Sequence, residues 1–145
     1  MIEVEDKYLN LLMDETNCWQ FIADYYKEKL GIEIEGFRGR LKGRGDKVRL
    51  ANFLEKYLNN PKFWQKVDFP EYPDIAMFDI NGLMIHGGIV LDEGRMLHMR
   101  VTGSLVQSYS DGTLWAQPKF KSLRGFYRYI GDRKDKQANA EGRGF

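Results

Sequence analysis

Cys18 is the one cysteine of the chain, and His86 and His98 are its two histidines. A thiol and two imidazoles are the parts of a cysteine nucleophile. The thiolate attacks, one imidazole accepts the thiol proton, and a further polar group orients that imidazole. Cys18 lies in Asn17-Cys18-Trp19-Gln20-Phe21-Ile22, where an amphipathic pattern begins. A helix N-terminus there predicts a stabilised thiolate and a depressed thiol pKa. Two other readings of the same residues stand beside this one. A lone cysteine on an apolar helix face can simply be core. A Cys-His-His set can bind zinc, but it would need a fourth ligand or water, and no close ligand pair such as Cys-x-x-Cys occurs.

The elements that must position these residues follow from spacing. Thr16 or Asn17 can cap a helix, with Gln20 three residues after Asn17. Cys18, Phe21, Ile22, Tyr25 and Lys29 share a face, and Gly31 supplies the stop. Before it, Ile2, Val4, Tyr8, Leu11 and Leu12 suit a short helix or arm over residues 2–13. Ile32-Glu-Ile-Glu35 alternates like an extended piece, and the glycine- and arginine-rich stretch 36–47 reads as a loop. Val48, Ala51, Phe53, Leu54, Tyr57 and Leu58 restore helical spacing up to Asn59-Asn60-Pro61. Phe63, Trp64 and Val67 add one more turn before the proline-bracketed loop 68–74.

From Ile75 the period changes to two. Ile75–Ile80, Leu83–Leu91, Arg95–Arg100 and Ser104–Tyr109 read as strands, joined by turns at Asn81-Gly82, Asp92-Glu-Gly94 and Thr102-Gly103. A last strand is expected at Gly125–Ile130. With the second turn centred near residue 93, paired residues sum to about 186. Residue 88 then faces His98, and His86 lies diagonal to His98 on the same face. Helices followed by an antiparallel meander predict an α+β domain.

Composition sets the outer bounds. At 145 residues the chain is one domain long, and its 43% apolar content is ample for a core. A single cysteine excludes an internal disulfide framework and a four-cysteine zinc site. No apolar run approaches the roughly 20 residues of a membrane span, and the first residues are acidic rather than signal-like. The expectation is a soluble protein made in the cytoplasm, with no cofactor and no bound metal. Net charge is +1, but residues 1–35 hold nine acids and three bases, whereas residues 36–49 hold six bases and one acid. That basic stretch could contact phosphates. The preferred reading is a solvated loop docked on the acidic N-terminal segment or on an acidic partner, with nucleic acid disfavoured. Trp19, Trp64 and Trp115 read as core and interface material.

Three pieces of the chain together resemble the NlpC family of papain-like cell-wall peptidases. Residues 17–34, from Asn17-Cys18-Trp19 through Leu30-Gly31-Ile32, are similar to the nucleophile helix of its phage-tail members. His86-Gly-Gly-Ile-Val-Leu through Met96-Leu-His98 resembles the family hairpin that holds the base histidine and then the orienting polar residue. Leu123-Arg-Gly-Phe-Tyr-Arg128 is similar to the closing strand. The tyrosine and glycine-rich segment that usually precede the family's cysteine have no counterpart in Leu11–Asn17.

The resemblance implies a papain-like NlpC fold over residues 1–130, with 131–145 a polar tail. It implies Cys18 as nucleophile, His86 as general base and His98 as the orienting residue. The implied substrate is a murein stem peptide, typically cut at the D-glutamyl-to-diaminopimelate bond. The implied setting is a phage or prophage-derived tail tip, with other tail proteins as partners and incorporation in the virion after synthesis in the host cytoplasm. The rival expectation is a structural tail-assembly protein that keeps the fold without useful activity. A basic nucleic-acid-binding module is a weaker third.

Overall fold

The computed structural model describes residues 2–11, 17–92, 94–100, 103–109 and 120–131. Leu12, Thr16, Glu93, Thr102, Trp115 and all of the expected tail but Gly131 lie outside them. The architecture is α+β, with two helices packed on one face of a six-stranded antiparallel sheet.

Helix α1 spans Cys18–Tyr25. Asn17 is its cap: the backbone there is extended, and the side-chain oxygen accepts the Gln20 N–H at 2.9 Å. A π-helical turn, Tyr26–Leu30, continues the helix to Gly31, which closes it at φ +66° in the left-handed region open to glycine. Cys18, Trp19, Gln20, Phe21, Ile22, Ala23 and Tyr25 are all buried, so α1 is covered all round rather than on one stripe. Residues 32–39 provide the outer cover. They form no strand, contrary to the alternation at 32–35, because hydrogen bonds to side chains of the helices hold them instead. Trp19 Nε1 donates to Glu35 O at 2.7 Å, and the Glu35 N–H donates to the Tyr57 hydroxyl at 3.0 Å.

Helix α2 spans Arg44–Leu58 and so begins inside the stretch expected to be loop. Asp46 explains the earlier start. Its carboxylate accepts the Lys42 N–H at 2.9 Å and lies in the first turn, where the helix dipole favours an acid. Leu50, Leu54, Tyr57 and Leu58 form its buried stripe.

The strands are β1 (Trp64–Val67), β2 (Ile75–Ile80), β3 (Leu83–Asp92), β4 (Arg95–Arg100), β5 (Gly103–Ser108) and β6 (Phe120–Tyr129). Their order is β1-β6-β2-β3-β4-β5, a meander from β2 to β5 with β6 returning between β1 and β2. Where one more helical turn was expected, β1 is a strand. Trp64 pairs with Tyr129 and Val67 with Phe126, and this ladder overrides local spacing. β6 starts five residues before the expected Gly125.

The two faces of the sheet carry different clusters. Ile75, Met77, Met84, Ile85, Ile89, Leu91, Leu97 and Met99 join the helices in the main core, which also holds Trp19 and Trp64. Ala76, Phe78, Val90 and Met96 form a small cluster on the far face, with Tyr109 and Phe126 against it.

The N-terminal segment has one short 3₁₀ turn at Asp6–Tyr8 and docks on the free edge of β5. Asn10 N–H donates to Ser104 O at 2.8 Å and Ser104 N–H to Leu11 O at 3.0 Å, while the Ser104 hydroxyl donates to Tyr8 O at 2.7 Å. An uncovered edge strand invites pairing with another chain, and here the chain covers its own edge. Tyr8 is buried, and Ile2, Val4 and Leu9 pack on the core. Among the described residues of the arm, Tyr8, Ile2, Val4 and Leu9 are occupied within the domain, while Leu11 stays 41% exposed. No helix among the described residues is long and apolar enough to cross a membrane.

Candidate active site

The β3–β4 hairpin places the histidines as the turn geometry predicts. Gly88 pairs with His98, and His86 sits diagonally across. His86 Nε2 and His98 Nδ1 are 2.9 Å apart, with the rings at 89° to each other. Both are buried. They lie on the far face of the sheet, because His86 is paired directly with Phe78, a member of the small cluster there. Beyond them is a residue that sequence reasoning missed. His98 Nε2 is 3.0 Å from Gln107 Oε1 on β5. The β4–β5 register sets Gln107 opposite Met96, and thus diagonal to His98.

Cys18 opens α1 and approaches β3 at backbone level. Its Sγ–H donates to Ile85 O at 2.8 Å, and the Gly87 N–H points at the sulfur from the other side of His86. The structure thus joins the two imidazoles directly and brings the thiol to the peptide groups flanking His86. It does not link the three side chains in one hydrogen-bonded chain.

Burial pushes the Cys18 thiol up to about 11, against the opposing pull of the Gly87, Trp19 and Cys18 N–H groups. The depressed pKa expected at a helix start is therefore corrected. The helix terminus is present, but Cys18 is buried against β3, and the loss of solvation outweighs the N–H groups around the sulfur. A folded-state value above the unfolded one stabilises the fold below the ordinary thiol pKa. That contribution is lost as pH rises towards about 11. We expect iodoacetamide labelling of the native protein to reach half-rate above the roughly 8.5 of a free thiol, and to return to it in urea. A native midpoint below 8.5 would contradict the buried, neutral thiol.

The glycines after His86 lie where side chains would have little room. A Cβ on Gly87 would come within 2.6 Å of Met77 Sδ and 3.2 Å of Ile22 Cδ1. One on Gly88 would come within 2.6 Å of Met96 Sδ and 3.1 Å of His98 Cβ. Close packing of α1 and of the His98 side chain is their use here.

The basic stretch meets the site through Asn17. The Asn17 amide nitrogen donates to Phe37 O at 2.6 Å and Gly39 O at 2.7 Å, tying the loop to the residue before Cys18. Arg38, Arg40, Lys42 and Arg44 are exposed, and among the described residues none of them has an ion-pair partner. Among the described residues, the contact with the N-terminal segment runs through Asn17 rather than through ion pairs, and Glu5 pairs with Lys29 and Glu33 with Lys27. An open cleft of about 420 Å³ runs between α1 and this loop, lined by Gln20, Asp24, Lys27, Glu33 and Arg38 among others. Among the described residues no group of three or more His, Cys, Asp or Glu is placed to hold a metal ion.

No protein-family model matches this chain, and no curated protein matches it.

Proposed function

We propose that this chain is a cysteine peptidase of the NlpC type, with the papain-like fold of that family, acting on murein stem peptides as a phage or prophage-derived tail component. The observation that carries the reading is the buried His86–His98 hydrogen bond beside the backbone that receives the Cys18 thiol. His86 Nε2 is occupied by His98, so the thiol proton would go to Nδ1.

In this mechanism Sγ leaves the Ile85 carbonyl and passes the β3 backbone to reach His86 on the far face, and the proton moves to Nδ1 as sulfur attacks the scissile carbonyl carbon. The Cys18 and Trp19 N–H groups at the start of α1 steady the oxyanion. The C–N bond breaks, and the leaving amine takes the proton from His86. Water, deprotonated by His86, then attacks the thioester, the C–S bond breaks, and the thiol recovers its proton. A thiol that is neutral at rest suits proton transfer in step with attack. The charged cleft beside α1 suits stem peptides, which carry both carboxylates and amines.

The preferred bond is D-glutamyl-to-diaminopimelate, and the partners are the substrate peptide and other tail-tip proteins. The protein would be made in the host cytoplasm and carried in the virion tail. The buried thiol favours one second reading, a tail-assembly protein that retains the fold without turnover. The two are separated by incubating murein with the full chain and with Cys18→Ala. Release of peptide fragments by the first and not the second supports the peptidase. No release by either supports the scaffold.

A further inference from the structure

We infer that Gln107 is a positioning residue that sets the direction of the protons along the His86–His98 pair. Two facing ring nitrogens 2.9 Å apart can share a proton in either sense, and only one sense leaves His86 able to act as a base. If His86 Nε2 carries the hydrogen, Nδ1 is bare and can take a proton from the thiol. If His98 Nδ1 carries it, His86 Nε2 becomes the acceptor, Nδ1 is protonated, and the base is lost. The choice is made at the far end. Gln107 Oε1, 3.0 Å from His98 Nε2, is an acceptor and requires the hydrogen on that nitrogen. A neutral His98 then has a bare Nδ1, which accepts from His86 Nε2. All the donors along the chain point from His86 towards Gln107. When Nδ1 of His86 gains a proton, the same alignment steadies the positive charge without any group turning round.

The sheet builds this arrangement. Met96 stands opposite Gln107 and His98 opposite Leu105, so His98 and Gln107 are diagonal neighbours on the far face, within reach across two strands. The catalytic consequence rests on the peptidase reading. The proton arrangement itself does not, and it can be measured without a substrate.

The chain has two histidines, so ¹⁵N-histidine labelling gives four ring-nitrogen signals. At a pH where both rings are neutral, the full-length protein should show hydrogen on Nε2 and a bare Nδ1 for both. In Gln107→Leu the His98 signals should move towards the average of the two tautomers, and kcat/KM should fall about tenfold, the worth of one hydrogen bond. Gln107→Glu, which still offers an oxygen, should restore the wild-type tautomers. A wild-type His98 with hydrogen on Nδ1 overturns the assignment, and so does a folded Gln107→Leu protein with unchanged tautomers. Should the leucine variant fail to fold, the wild-type and glutamate spectra still decide. Tautomers as expected in a protein that cleaves nothing would sink the peptidase reading alone.

Discussion

Replacement of His86 by alanine is expected to lower kcat/KM for stem-peptide cleavage by about a thousandfold, the usual contribution of a positioned general base. The imidazole is buried against Phe78 and His98, so no water at that place would take the thiol proton with comparable basicity. His98→Asn should keep part of the activity. An asparagine oxygen can still accept the His86 Nε2 hydrogen that His98 Nδ1 accepts at 2.9 Å. Steady-state kinetics on a purified stem peptide, with melting curves for each variant, separate lost chemistry from lost fold. A His98→Asn protein as inactive as His86→Ala would refute the orienting role. Full activity in both would remove the histidines from the mechanism.

The largest stability effect is expected at Arg128. Asp74 is 1% exposed, and its carboxylate accepts Arg128 Nε at 3.0 Å and Nη2 at 2.8 Å, as well as the Glu71 N–H at 2.8 Å. Arg128→Ala would leave a buried carboxylate without its counter-charge, a loss of about 3 kcal/mol and about 10 °C in Tm. Arg128→Lys should fall between, since a single ammonium cannot reproduce the two-pronged contact. The pair matters to the site because Asp74 O also accepts the Val90 N–H at 2.8 Å, pinning the 68–74 loop to the strand that carries His86. Urea unfolding measures it. A loss under about 1 kcal/mol for the alanine variant would show that the pair is solvated and weak.

The features legible from local chemistry are those whose cause is local. Asn17 caps α1 because its own side chain reaches three residues on, and Gly31 ends the helical run because few other residues tolerate its φ. The His86–His98 contact follows from a turn centre and a two-residue period, and the Gly88–His98 pairing sums to the expected 186. What escaped depends on distant partners. Trp64–Val67 looks helical until β6, about sixty residues later, pairs with it. Gln107 gains meaning only from the β4–β5 register, in which a polar residue on a half-apolar strand falls diagonal to an imidazole. The Cys18 thiol is pushed up by its burial against β3 in the core, which no pattern within 17–25 encodes. The docking of the arm on β5 rests on Ser104, nearly a hundred residues away.

The central claim is that the Cys18 sulfur cleaves a murein peptide bond, and product analysis tests it most directly. Purified stem peptide is incubated with the full chain and with Cys18→Ala, and the products are read by mass spectrometry. The account predicts two fragments with wild type, split after D-glutamate with a new amino group on the following residue, and intact peptide with Cys18→Ala. Equal cleavage by both proteins, or intact peptide with both, would contradict it.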